Sequence, residues 1–190
     1  LYRIVLMQSL DFQREALNEH QRTLKMRGRP KILLATNFED AVDLYTKYKY
    51  NVLGIISDIS YKRKGIQDEN AGIELCKVVM ADDDKVPFLL QSSNIEHKRN
   101  AEELGAGFIH KYSKSLALEL RNFIIQNLAF GPFVFRNPDT MEPIAIATDL
   151  QSLQQKLLTI PDNTLDYHAS KNHFSKWLNA RALFPVAQMF

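Results

Sequence analysis

Residues 52–58, Val-Leu-Gly-Ile-Ile-Ser-Asp, form a short apolar run that ends in a carboxylate. Residues 86–92, Val-Pro-Phe-Leu-Leu-Gln-Ser, and residues 107–111, Gly-Phe-Ile-His-Lys, repeat this pattern and end in a hydroxyl and an ammonium group. Each run has the length of a strand, and strands that are apolar throughout are typical of parallel sheets covered on both faces. The three runs therefore predict a buried parallel sheet with a polar side chain at the end of each strand.

Helical patterns alternate with these runs. A fourth apolar run, residues 31–36, predicts a further strand, and Asn37 after it is placed to cap a helix. Amphipathic or polar helical segments begin near Gly72, Ile95 and Leu116. Because strands and helices alternate in this part of the chain, the sequence predicts a three-layer α/β fold.

The pattern divides the chain into three segments. Residues 1–29 read as one long helix that ends at Gly28 and Pro30. Residues 30–130 carry the α/β alternation. Residues 131–190 predict a small α+β extension made of a hairpin and helices.

Within the extension, residues 133–136 and 144–146 predict the two strands of the hairpin, joined by a Pro-containing turn. Thr148 and Gln151 fit a capping box at the start of the next helix. Residues 165–182 predict either one helix or two helices joined near Asn172.

Composition narrows the class of protein. Of 190 residues, 45% are apolar and 24% are charged, which is close to the average of globular domains. The net charge of +2 does not suggest a nucleic-acid binder, and no apolar run is long enough to cross a membrane. The single cysteine excludes an intramolecular disulfide and favours a cytoplasmic location. Ends at Leu1 and Phe190 suggest a piece of a longer protein.

The three polar strand ends are Asp58, Ser92 and Lys111. Carboxyl ends of parallel strands share one edge of a sheet, so we expect these side chains to meet there. A carboxylate can act as a nucleophile, an ammonium can hold a phosphate, and a hydroxyl can donate to it. The sequence therefore predicts a site that accepts a phosphoryl group. The alternative is that Asp58 caps a loop, Ser92 caps the next helix and Lys111 is solvated.

Residues 30–130 resemble the receiver domain of two-component response regulators. The resemblance is carried by four motifs in order: Gly54-Ile-Ile-Ser-Asp58, Ala71-Gly-Ile-Glu-Leu75, Val86-Pro-Phe-Leu-Leu-Gln-Ser92 and Gly105-Ala-Gly-Phe-Ile-His-Lys111. It implies a flavodoxin-like fold and a role in bacterial phosphorelay signal transduction.

The resemblance also implies roles for individual residues. Asp58 would accept a phosphoryl group from a histidine kinase or phosphotransfer protein, and Lys111 would pair with that group. Ser92 would be the switch hydroxyl and Phe108 the switch aromatic residue. Mg²⁺ would be held by Asp58, the backbone of Ser60 and an acidic pair.

The chain departs from the family pattern at that acidic pair. If residues 4–7 were the opening strand, Gln8 and Ser9 would stand in its place. We expect instead that the opening strand and its acidic pair lie upstream of Leu1, and Mg²⁺ is expected only if they do.

Two further departures concern loops of the receiver-like segment. The loop from Asp58 to Gly72 is longer than usual, and its cations, Lys62, Arg63 and Lys64, either approach the site or form a solvated hairpin tip. Tyr112 replaces the proline that supports a cis peptide in the family, so the loop after Lys111 is expected to differ in shape.

Residues 27–36, 133–136 and 167–178 are similar to a bacterial arrangement in which a receiver-like domain precedes a kinase module. That module is of the phosphoenolpyruvate synthase or pyruvate phosphate dikinase type. The resemblance implies that this chain is regulatory and is attached to a downstream module, so whether it belongs to an enzyme stays open. The alternative function is a non-phosphorylated pseudo-receiver that acts as an interaction module of such a kinase.

Other features carry weaker predictions. His168 and His173 would lie on different faces of one helix, which disfavours a metal site. Phe174, Trp177 and Arg181 either form a docking patch or pack a local core.

The N-terminal helix, residues 1–27, could pair with its copy in a homodimer. The basic cluster at its end, between Arg22 and Lys31, has no recognisable DNA-binding motif beside it, so no nucleic-acid partner is expected.

Overall fold

A computed structural model describes residues 31–181 and 183–190 of the chain. These residues form two compact units, 31–123 and 124–190. The helix predicted over residues 1–29 lies outside the described residues. None of the helices in the described ranges combines the length and the apolar character that crossing a membrane requires.

The described part of the first unit contains five short strands and four α-helices. The strands are β1 (Ile55–Asp58), β2 (Tyr61–Arg63), β3 (Ile66–Asp68), β4 (Phe88–Ser92) and β5 (Gly107–His110). The helices are α1 (Phe38–Tyr48), α2 (Ala71–Asp82), α3 (His97–Glu103) and α4 (Leu116–Asn127), whose last turn belongs to the second unit. A short 3₁₀ helix, Lys49–Asn51, follows α1.

Three strands form a parallel sheet in the order β1-β4-β5. Ile55 lies opposite Phe88, and Leu90 lies opposite Phe108. The centre of β4 is buried because helices of the unit cover its apolar side chains. The predicted α/β class with a parallel sheet is therefore confirmed.

The strand predicted over residues 31–36 is wrong. This segment has no regular secondary structure, and Leu34 is 72% exposed. A strand needs a neighbour to satisfy its backbone N–H and C=O groups. In the described part of the chain this segment pairs with no strand, and only an isolated bridge from Asn37 to Lys62 follows it. Asn37, by contrast, caps α1 as predicted, because its side chain accepts a hydrogen bond from the Asp40 N–H at 2.8 Å.

The long loop after Asp58 contains an antiparallel hairpin, β2–β3. Its two-residue turn consists of Lys64 and Gly65, both with positive φ (51° and 78°), which is the signature of a type I′ turn. The hairpin is attached to α1 because the Arg63 guanidinium stacks 4.5 Å from the Phe38 ring centroid. A bond from the Lys64 N–H to Glu39 Oε1 (3.0 Å) adds to this attachment.

The second unit has an aromatic core under a hairpin. Strands β6 (Phe133–Arg136) and β7 (Pro143–Ala147) pair antiparallel, and four helices follow: α5 (Leu150–Leu157), α6 (Asp162–Ser170), α7 (His173–Ala180) and α8 (Phe184–Ala187). Phe133 and Phe135 turn one face of the hairpin toward Phe174 and Trp177. Burial of these large rings supplies much of the stability of the unit.

One detail of this unit differs from the sequence predictions, and one alternative that the sequence left open is decided. The capping box of α5 uses Asp149 and Ser152 instead of Thr148 and Gln151, because Asp149 is the residue with extended backbone before the helix. The segment 165–182 is not one helix. It breaks at Asn172, whose backbone is left-handed (φ 55°), a conformation that Asn tolerates better than most residues.

Candidate functional site at the strand ends

The register of the sheet places the predicted site residues at one edge. Asp58, the last residue of β1, lies opposite Gln91, and Ser92 lies opposite His110 on β5. The Lys111 N–H continues this ladder by donating to the Ser92 carbonyl oxygen at 2.9 Å. Three polar residues from three adjacent strands are therefore held by sheet hydrogen bonds rather than by mobile loops.

Asp58 and Lys111 are in direct contact. Lys111 Nζ lies 2.9 Å from Asp58 Oδ2, and the two side chains are 37% and 39% exposed, respectively. The other carboxylate oxygen, Oδ1, is buried and has no hydrogen-bond partner among the described residues. Burying an acceptor without a donor costs free energy. The carboxylate therefore has one oxygen neutralised by Lys111 and one oxygen buried without a donor among the described residues.

Ser92 lies on the strand between these two residues, and its side chain is buried. Its Oγ accepts a hydrogen bond from the Asn94 N–H at 3.1 Å, which caps the turn after β4. In this conformation the hydroxyl serves the turn. The alternative that Ser92 caps the next helix is wrong, because α3 begins at His97 with Glu96 before it.

The loop after Asp58 is fixed by a close approach of α2. The Gly72 N–H donates to the Ile59 carbonyl oxygen at 2.8 Å. A Cβ added at position 72 would overlap the Asp58 carbonyl oxygen. Only glycine fits here, so Gly72 defines where the backbone of Asp58 lies.

The hairpin cations do not pair with Asp58. Lys62 and Lys64 are exposed, and Arg63 is engaged by Phe38 and by Asp68, whose Oδ2 lies 3.6 Å from its Nη1. This arrangement agrees with the solvated hairpin tip.

The hairpin instead contacts residues that are close to Asp58 in the sequence. Gln67 Nε2 donates to Ser60 Oγ at 2.7 Å, and the Tyr61 hydroxyl lies 3.4 Å from Ser57 Oγ. Neither contact could be read from the sequence, although Lys64-Gly65 between short polar segments was a weak hairpin signal.

The other residues predicted for the site or for its loops lie beside this edge of the sheet. Phe108 on β5 is partly buried against the core of the first unit. The Lys111–Tyr112 peptide is trans, and Tyr112 is exposed with its ring 5.8 Å from the His110 ring. His110 Nε2 lies 2.8 Å from the Ser93 carbonyl oxygen, which links β5 to the turn after Ser92.

The described residues supply only part of a Mg²⁺ site. Mg²⁺ is usually held by one or two carboxylates together with water and phosphate oxygens. Here Asp58 offers one free carboxylate oxygen, and the backbone of Ser60 is the other predicted ligand. Within the described ranges, no group of three or more His, Cys, Asp or Glu side chains could hold a metal ion. The predicted acidic pair lies outside these residues.

A histidine pair in the second unit was missed by the sequence analysis. His168 lies in the last turn of α6 and His173 begins α7, so the two rings meet with their Nδ1 atoms 2.9 Å apart. The expectation that they lie on different faces held for a single helix; the chain forms two helices instead, and the break at Asn172 turns it between the two histidines. His168 is 3% exposed, and its Nε2 accepts from the Arg136 N–H at 3.0 Å.

The predicted docking patch is mostly core. Phe174 and Trp177 are buried, and the Arg181 guanidinium stacks 3.6 Å from the Trp177 ring centroid. Arg181 also donates to the carbonyl oxygens of Ala129 (2.9 Å) and Gly131 (2.7 Å). Of the two alternatives for these residues, the structure supports local packing.

No protein-family model, no curated protein and no solved structure matches the chain. Function is therefore inferred from the residues at the strand ends.

Proposed function

We propose that the first unit is a receiver domain that accepts a phosphoryl group on Asp58. The donor would be a histidine kinase or phosphotransfer protein, and the output would be a partner or an attached downstream module in a bacterial cytoplasm. Lys111 would hold the phosphoryl oxygens, and Ser92 would turn from Asn94 to donate to them. The sheet order β1-β4-β5 is compatible with the flavodoxin-like fold of that family.

The observation that carries this proposal is the contact between Asp58 and Lys111. A nucleophilic carboxylate needs an exposed oxygen and a nearby cation to receive the transferred charge. Asp58 Oδ2 has that cation at 2.9 Å, and both side chains are open to solvent. Transfer would form a bond between phosphorus and a carboxylate oxygen while the bond to the donor's nitrogen breaks.

Mg²⁺, when bound, would neutralise the phosphoryl oxygens during transfer. Among the described residues, Asp58 Oδ1 is the free oxygen best suited to that ion. The residues of this chain orient the acceptor: Gly72 fixes its backbone, and the ladder through Ser92 fixes Lys111.

A second function is favoured by the small number of acidic groups at the site. In the described part of the chain, the site has one carboxylate, and Lys111 already neutralises one of its oxygens. A pseudo-receiver that is never phosphorylated would keep this ion pair as a structural contact. It would then act as a regulatory interaction module of a phosphoenolpyruvate synthase-like kinase.

Mass spectrometry separates the two functions. Full-length protein incubated with acetyl phosphate and Mg²⁺ is expected to gain about 80 Da, the mass of one phosphoryl group. The gain should be absent in Asp58→Asn and present in Asp68→Asn, a control on the hairpin. No gain, or a gain that survives Asp58→Asn, would support the pseudo-receiver instead.

A further inference from the structure

The His168–His173 pair connects three elements of the second unit. The Arg136 N–H of β6 donates to His168 Nε2 at 3.0 Å, and His168 Nδ1 lies 2.9 Å from His173 Nδ1. One ring therefore bridges the end of the hairpin to α6, and the other continues the connection to α7. The rings of Phe133, Phe135 and Phe174 surround His168 at centroid distances of 5.0, 5.8 and 6.0 Å.

These contacts fix the position of every proton. Because Nε2 of His168 accepts a hydrogen bond, a neutral His168 carries its proton on Nδ1. That N–H must donate to Nδ1 of His173, so His173 carries its own proton on Nε2. Both unprotonated ring nitrogens in the pair already accept a hydrogen bond.

The same assignment argues against a metal ion at the pair. A metal on Nδ1 of His168 would move the ring proton to Nε2, where the Arg136 N–H already points. The proton assignment and the metal site exclude each other at this residue.

The positions of these protons determine what happens when either ring takes up a further proton in acid. A proton added to His168 must go to Nε2 and would displace the Arg136 N–H. A proton added to His173 must go to Nδ1 and would displace the His168 N–H. In either case one of the two hydrogen bonds breaks and a cation is left in an aromatic core, which is unfavourable.

We propose that the His168–His173 pair is a proton-sensitive link: it joins β6 to α6 and α7 while both rings are neutral, and uptake of one proton releases one of these connections. The second unit would then open in mild acid while the first unit stays folded.

Burial and the charges around the rings also oppose protonation of the pair, because they lower the pKa of both histidines. Burial, together with the nearby charges of His173 and Arg136, lowers the pKa of His168 to about 4. Burial also lowers the pKa of His173 to about 4, with contributions from Lys176 and Lys171. Tyr167, the other titratable group against the pair, places its ring 5.0 Å from His168 and 5.7 Å from His173.

The sign of the pH dependence follows from these shifts. Each folded-state pKa lies below the ordinary value of 6.5, so the unfolded chain binds more protons between pH 6.5 and pH 4. The stabilisation is present above pH 6.5 and is lost as the pH falls toward 4.

Thermal unfolding tests the link, and Trp177, the single tryptophan of the chain, reports on the second unit. Its fluorescence midpoint is expected to fall by about 5 °C or more between pH 7 and pH 5. In His168→Gln/His173→Asn, whose amides keep acceptor oxygens but do not titrate, most of this fall should disappear. The control His97→Gln removes a histidine of the first unit, and its fluorescence midpoint should still fall as in the original protein. An equal fall in the double variant would overturn the proposal.

A measurement on the unmodified protein covers the case in which the double variant does not fold. Nitrogen-15 NMR of the imidazole rings should find the Nδ1–H form of His168 and the Nε2–H form of His173, both neutral at pH 5.5. The opposite tautomer at His168, or titration of either ring near its ordinary pKa, would contradict the proposed link.

Discussion

Lys111 Nζ lies 2.9 Å from Asp58 Oδ2, although the two residues belong to the ends of β5 and β1, which are separated by β4. Exposed ion pairs of this kind contribute only about 0–1 kcal/mol to stability. A gain in stability therefore does not by itself explain why both residues lie here. Under the proposed function, Lys111 would also hold the phosphoryl oxygens, which gives the ion pair a role beyond stability.

Replacing Lys111 by Met should separate stability from phosphoryl transfer. The variant is expected to lose less than about 1 kcal/mol of unfolding free energy, because the pair is partly exposed. Its rate of phosphorylation by acetyl phosphate should fall by about tenfold or more, since the cation no longer balances the developing charge. Urea unfolding and time-resolved mass spectrometry measure the two effects.

Lys114→Met is the matched control for this variant. Lys114 is exposed and lies three residues further along the chain. It should change neither quantity. A Lys111→Met protein that is phosphorylated at the normal rate would show that the ion pair has no part in transfer.

Gly72 should tolerate no side chain. In Gly72→Ala the new Cβ would meet the Asp58 carbonyl oxygen, so α2 or the end of β1 must move. We expect a loss of about 1–3 kcal/mol in unfolding free energy, the usual cost of overpacking. Denaturant unfolding measures it.

Gly65→Asn provides the comparison for that glycine variant. Position 65 has a positive φ of 78° and no atom within 4 Å of an added Cβ, and Asn tolerates this conformation. It should cost less than about 1 kcal/mol. Equal losses in the two variants would mean that the close approach at Gly72 is not what constrains the loop.

The sheet could be predicted from the sequence because its signal is local. The runs that became β1, β4 and β5 are apolar and end at polar residues, and a parallel sheet brings such ends to one edge. The contact of Asp58 with Lys111 followed from that placement alone. Residues 31–36 are a similar apolar run. A strand also needs a neighbouring strand to pair with, and the composition of a segment does not show whether it has one.

The features that sequence reasoning left open or missed depend on single backbone conformations. The β2–β3 hairpin depends on left-handed geometry at Lys64, and the histidine pair depends on the same geometry at Asn172. Lysine seldom adopts this conformation, so the turn had little sequence signal. At Asn172 the sequence left one helix or two open, and only the break brings His168 to His173.

Arg181 should contribute strongly to the second unit. Arg181→Ala removes hydrogen bonds to the carbonyl oxygens of Ala129, Gly131 and Trp177, and also the stacking on the Trp177 ring. We expect a loss of about 2–4 kcal/mol, as is usual for a hydrogen-bonded and stacked charge. Trp177 fluorescence during urea unfolding reports it.

Arg181→Lys tests whether the planar guanidinium matters. Lysine keeps the charge but cannot donate to two carbonyl oxygens in the same fork geometry. Its loss should fall between those of Arg181→Ala and the exposed control Gln155→Ala. A lysine variant as stable as the original protein would show that charge alone is sufficient.

The most direct test of the central claim is the location of the phosphoryl group. Borohydride reduces an aspartyl phosphate to homoserine, which peptide mass spectrometry assigns to a position in the chain. After treatment of the full-length protein with acetyl phosphate and Mg²⁺, we expect homoserine at position 58 and at no other aspartate. Unchanged aspartate at position 58, with or without homoserine elsewhere, would contradict the assignment of Asp58 as the phosphoryl acceptor.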